Sequence, residues 1–307
     1  MVAPTVDVAI RPLADVARGE WTVRRALPWL LAAAAFVVLF ASPARGLARD
    51  WWVDPDAGHG LLLTPVALWL AWKAGLRTDA RPSPTWGTIL LLGAVLLRAL
   101  GSLAAEFFTQ RFSILLALVG VTVFAFGWRQ VRHWWLPFSL LLLSIPLPAL
   151  ITNKLAMPLQ FRASKYGTML IEMRHIPVRM KGNVIEIAGQ MPGETFRLFV
   201  AEACSGLRSL TALLALGVMI GGMYLRTVSA RVLLLLLAIP VAVAVNAVRI
   251  FLTAFLMYFV DPDLGRGFMH ESQGWALFVV SFAAIGALGA IVGYGERTIH
   301  RWRTAHA

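Results

Sequence analysis

A lone thiol, a cation within an apolar run and an imidazole fall at three successive membrane boundaries of this 307-residue chain. Together they are what cysteine-dependent acyl transfer requires. Cys204, the only cysteine, lies in Glu202-Ala203-Cys204-Ser205-Gly206-Leu207-Arg208, where a polar segment runs into an apolar one. A helix starting there points its dipole and unpaired N–H groups at the sulfur, which favours the thiolate. Arg208, one turn on and on the same face, favours it further. Ser205 and Gly206 are small enough for a substrate backbone to approach. The bland alternative is that a solitary cysteine in a membrane helix is an apolar filler.

Arg249 lies within the apolar run Asn246-Ala247-Val248-Arg249-Ile250, about ten residues from the outer end. A charge at that depth costs on the order of 3 kcal/mol, so it marks a functional candidate against the alternatives of a structural ion pair or snorkelling. Asn246, three residues earlier, shares its face. Arg98, in an earlier run, is read as a structural cation partnered by Glu106. His270 sits in the polar stretch Phe268-Met269-His270-Glu271-Ser272-Gln273-Gly274-Trp275, expected to be a loop. Imidazole has the pKa range a thiol's base needs, although a loop histidine is often merely solvated. His59 and His175 are the other outward candidates, with His59 in a supporting role. The chain has no HExxH, CxxC or GxSxG pattern, and no metal or cofactor is expected.

The elements that must hold these groups are membrane helices. Hydrophobic residues make up 59% of the chain, charged residues 14%, and the mean hydropathy is +0.72. A soluble domain carries about 25% charged residues. The fold class is therefore an all-α polytopic membrane protein, one integral membrane domain over residues 1–307. Eight apolar runs, near 26–43, 60–74, 86–104, 112–127, 134–150, 204–223, 232–259 and 274–294, are candidates for crossing a core of about 30 Å. The second is short and the seventh long, so tilt or a break is expected in the seventh.

With the N-terminus inside, the inner segments 1–25, 73–85, 128–133, 224–231 and 295–307 hold fourteen Lys and Arg, against four in the short outer loops. That asymmetry puts both termini in the cytoplasm and Cys204 at the outer face. Ala41-Ser42-Pro43-Ala44 loosely resembles a signal-peptide cleavage site, but the preceding residues are too long and too mixed in charge, so the first run is taken as a span. The net charge of +12 comes from short clusters between apolar runs, with no basic face. It fits contact with anionic lipid, and no nucleic-acid partner is expected. One cysteine permits no intrachain disulfide and leaves the compartment open.

The outer segment 151–203 is the only sizeable polar region. Its first part, from Asn153 to Arg174, mixes apolar and basic residues and predicts a helix at the membrane interface. Val178 to Met180 and Val184 to Ile187, around Lys181-Gly182-Asn183, predict a hairpin. A Pro192-Gly193 turn and a strand from Thr195 to Val200 deliver the chain to Cys204.

The stretch Glu202 to Leu210, then Ile239-Pro240 leading to Asn246-Ala247-Val248-Arg249-Ile250, then His270 with Gly274-Trp275, resembles the exosortase/archaeosortase family. Gly58-His59-Gly60 and Ile145-Pro146-Leu147-Pro148 are similar to it as well, so the resemblance covers about residues 55–290. It implies a multipass membrane cysteine transpeptidase without cofactor. The implied substrates are exported proteins ending in a short motif (Pro-Glu-Pro in the bacterial type), one transmembrane helix and a basic cluster, and bacterial members accompany exopolysaccharide synthesis in Gram-negative organisms. It also implies Cys204 as nucleophile, with Arg249 and His270 as its partners in catalysis. The residues taken without the resemblance leave two rivals open: an exopolysaccharide transport subunit and a lipid-linked glycan transferase. Oligomeric state is open.

Overall fold

The computed structural model of the chain describes residues 10–11, 23–54, 56–182, 184–189, 195–199, 206–261 and 267–305. It is mostly helical and divides into two compact units, Met1–Pro148 and Ala149–Ala307.

The first unit contains β1 (Ile10–Arg11), α1 (Val23–Val53), α2 (Gly60–Ala74), β2 (Leu76–Arg77), α3 (Pro84–Leu103), α4 (Phe107–Phe126), α5 (Trp128–His133) and α6 (Trp135–Leu143). Ala41 to Ala44, the cleavage-like stretch, lies within α1. Pro84 starts α3 where a missing N–H is harmless. Helices α3 and α4 form a tight antiparallel pair because glycine lets their backbones meet. A Cβ on Gly87 would lie 2.4 Å from Phe124 Cα. Phe40, Ala94 and Ala117 form a buried centre beside this pair. Small residues are what close helix contacts in a bilayer require.

Polar groups close the ends of the first unit. Arg111 of α4 donates to Asp50 of α1 at 2.6 Å and is itself buried. Glu106 caps α4, accepting from Phe108 N at 3.0 Å and Thr109 N at 2.6 Å. The expected Arg98–Glu106 pair is not formed: helix-end amides are unsatisfied within the helix and take the carboxylate first. Gln130, fully buried, donates to Gly75 O at 3.0 Å and accepts from Arg77 N at 2.9 Å. Asp79, beside the Arg77 guanidinium at 2.8 Å, has its carboxyl pKa lowered to about 2.

The second unit contains α7 (Ala149–Glu172), β3 (Val178–Lys181), β4 (Val184–Ala188), β5 (Thr195–Phe199), α8 (Gly206–Tyr224), α9 (Val228–Phe259) and α10 (Gly267–Ala305). The strands form one antiparallel sheet in the order β3-β4-β5. Pairing of Lys181 with Val184 leaves a two-residue connection, and Gly182 takes φ +61° there, as such a turn demands. Ile185, Ile187 and Leu198 bury one sheet face against Ile171 of α7 and Ile250, Ala254 and Met257 of α9. A second core joins Leu213 and Leu216 of α8, Leu234 and Ala238 of α9, and Ile285 of α10. The α8–α9 link is tied to α10 by Glu296, which accepts from the backbone N–H groups of Arg226 and Thr227.

Several expectations meet this fold directly. The helix and hairpin predicted within 151–203 correspond to α7 and β3–β4, and the third strand forms as β5, while the Pro192-Gly193 turn lies outside the described residues. Of the eight runs expected, five correspond, among the described residues, to helices long and apolar enough to cross a membrane: those containing Leu30–Val53, Pro84–Leu103, Phe107–Phe126, Val228–Phe259 and Ala276–Trp302. Gly60–Ala74 and Leu210–Tyr224 are shorter apolar helices. The run expected at 134–150 forms only the nine-residue α6. Pro146 and Pro148 remove two donors and bias the residues before them toward extended backbone, so the helix stops. The seventh run does not break: α9 continues through Pro240 for 32 residues. That is about 48 Å of helix.

Candidate functional site

Helix α9 exists because Thr227 caps its start, accepting from Ala230 N at 3.3 Å, and apolar residues fill it thereafter. It carries Asn246 and Arg249 one turn apart on one face. Asn246 is 3% exposed, and neither Oδ1 nor Nδ2 has a hydrogen-bond partner among the described residues. Burial without a partner costs an amide on the order of 1–3 kcal/mol, so its retention in a core calls for a role. Arg249 is half-buried.

Asn246 opens onto a narrow crevice whose other walls are Leu159 and Ala163 of α7, Leu210 of α8, and Ala242 and Val243 of α9. The crevice offers about 10 Å³ to the centre of a water molecule, room for about one. Its narrowness follows from the close approach of α7 to α9. A Cβ on Gly167 would lie 2.7 Å from Ile250 Cγ2 and 3.1 Å from Ala247 O. One wall comes from the second turn of α8, the helix that follows Cys204 in the chain. A primary amide there presents a donor and an acceptor together, the complement of a peptide group.

The other candidates fare differently. Cys204 and Ser205 lie outside the described residues. Arg208 falls in the first turn of α8, and its side chain is likewise outside. His270 is not in a loop: its backbone belongs to the first turns of α10, which begins at Gly267. Its side chain is outside the described residues. The polar run around it misled because the helix begins before its hydrophobic part. His175 is exposed and lies in the turn after α7, with φ +59°.

His59 belongs to the first unit, immediately before α2. Its Nε2 lies 3.0 Å from Leu143 O, and its Nδ1 is buried without a partner. A carbonyl can only accept, so Nε2 is the donor in this contact. The segment is held from both sides. Trp51 Nε1 donates to Ser144 O at 2.7 Å, and Gly60 leaves room for the Trp51 indole. Of the sequence candidates, Asn246 and Arg249 share one face of α9. The α7 wall was not among the site residues expected; its signal was the small-residue spacing Ala163-x-x-x-Gly167.

No curated protein and no solved structure matches the chain. A family model described as transmembrane exosortase matches residues 51–287, which takes in α2, the crevice, Arg249 and His270. This helical membrane protein belongs to the transmembrane exosortase family.

Proposed function

We propose that the chain is a cysteine transpeptidase of the outer face of a bacterial inner membrane. It would cleave exported proteins that end in a short recognition motif, a transmembrane helix and a basic cluster. Membership of the exosortase family supports this reading. The single structural observation that carries it is the buried, unsatisfied Asn246 amide one turn from Arg249, facing a crevice walled in part by the helix that follows Cys204.

In this reading the Cys204 thiolate attacks the scissile carbonyl and His270 takes the thiol proton. The C–N bond then breaks, His270 returns the proton to the leaving amine, and a thioester remains. Arg249 meets the developing oxyanion in a low-dielectric setting, and Asn246 aligns the peptide group. Arg208 supports the thiolate, and Ser205 leaves space for the substrate. An incoming amine, or water, releases the acyl group. Both termini lie in the cytoplasm, and the activity serves surface-protein sorting alongside exopolysaccharide export.

The test is co-expression with an exported, epitope-tagged reporter ending in Pro-Glu-Pro, one helix and a basic cluster. A mobility shift on immunoblot is expected with the parent chain and none with Cys204→Ala. Arg249→Lys should cut processing strongly, since a compact ammonium lacks the planar fork. An unshifted reporter beside a stable, inserted parent chain would refute the activity.

A further inference from the structure

The sheet of the second unit ends, among the described residues, in an edge without a partner strand. Among the described residues no strand pairs with the outer side of β5, whose last residue, Phe199, is five positions before Cys204. The register fixes what that edge offers. Ala188 N donates to Pro177 O, so Ala188, and by alternation Glu186 and Val184, direct their backbone groups toward β3. Ile185 and Ile187 therefore bond across to Leu198 and Phe196. Thr195, Arg197 and Phe199 are left with N–H and C=O pointing away from the sheet.

The side chains add a charge pattern. Leu198 is buried and Phe196 partly so, while the opposite face carries Arg179, Glu186 and Arg197 directly abreast on the three strands. This row reads plus, minus, plus. Lys181 holds Glu186 more closely, at 2.8 Å, than Arg197 does at 3.5 Å, and the Arg197 side chain remains 64% exposed. Like charges directly opposite one another are unfavourable and opposite charges favourable. The next position in the row, beyond Arg197, calls for an anion.

We propose that β5 is the docking edge for the substrate. An extended segment of the exported protein adds as a fourth strand, with an acidic residue directly opposite Arg197. In that pairing only the acidic residue exchanges both backbone hydrogen bonds with Arg197. Its two neighbours point their N–H groups away, so proline is tolerated on either side. The Pro-Glu-Pro motif that the family resemblance implies for the substrate is compatible with both requirements. This deepens the peptidase reading and rests on it for the identity of the partner as a protein substrate.

The experiment uses a trap independent of turnover. In the full-length chain, Cys204→Ala combined with Thr195→Cys leaves one cysteine, on the exposed strand face two residues from Arg197. Reporters carry one cysteine, two residues before or two residues after the acidic position. A disulfide-linked species on a non-reducing gel is expected with one of the two. Replacing the acidic residue by Lys should lower its yield about fivefold, the scale of a cross-strand charge pair, and Arg197→Glu should restore it. No cross-link at either position, or one indifferent to both charge changes, overturns the proposal. A charge-dependent cross-link beside a parent chain that never cleaves would keep the docking edge and remove the peptidase reading.

Discussion

Asn246 is where chemistry and stability pull apart. The residue lies in a core position yet keeps a donor and an acceptor unsatisfied among the described residues, beside a crevice with room for about one water. A group kept for folding alone would be replaced by an apolar one, because a lone buried amide costs on the order of 1–3 kcal/mol. Asn246→Leu should therefore raise the unfolding free energy in detergent by about 1 kcal/mol while abolishing reporter processing. Stability from thermal unfolding and processing from the immunoblot move in opposite directions if the amide serves the site. A destabilised variant would mean that a polar partner was lost, and an active one would take Asn246 out of the machinery. Sequence reasoning found this residue through its spacing from Arg249. It did not find the crevice, because a crevice belongs to three helices and no local pattern encodes it.

At the scale of elements, the legible features were those with a local cause. The hairpin announced itself through alternation and a Gly-Asn turn, and α7 through its spacing of apolar and basic residues. Element ends were less legible because competing partners decide them. Glu106 went to the amides of α4 instead of Arg98, two prolines cut α6 to nine residues, and α10 began ahead of its apolar part to take in His270. The α3–α4 contact shows the same dependence on what lies opposite. Gly87 faces the Phe124 backbone at 2.4 Å from its would-be Cβ, whereas the nearest neighbour of Gly93, Leu116 Cδ2, is 4.0 Å away. Gly87→Ala should lower the unfolding free energy by about 1–3 kcal/mol through forced backbone separation. Gly93→Ala should be neutral or slightly stabilising, since alanine is the better helix former. Equal unfolding midpoints for the two variants would contradict the packing described for this pair.

For the whole molecule, the number of crossings decides which side each terminus takes. Among the described residues, five helices are both long and apolar enough to span; were only those five to cross, an odd number, the termini would lie on opposite sides. The distribution of Lys and Arg instead favours both termini inside, which needs an even number. Eight crossings satisfy that count if α2, α6 with the extended residues after it, and α8 also traverse the bilayer. The fifteen-residue α2 covers about 22 Å, a shortfall that local thinning of the bilayer accommodates. Single cysteines placed in the Cys204→Ala background test this. Ala3→Cys and Ala307→Cys should both resist a membrane-impermeant maleimide in intact spheroplasts and react after permeabilisation, whereas Thr195→Cys should react from outside. Labelling of one terminus but not the other would return the crossing number to an odd value. Failure of Thr195→Cys to react from outside, with both termini protected, would place the sheet on the wrong side for a protein that receives exported substrates.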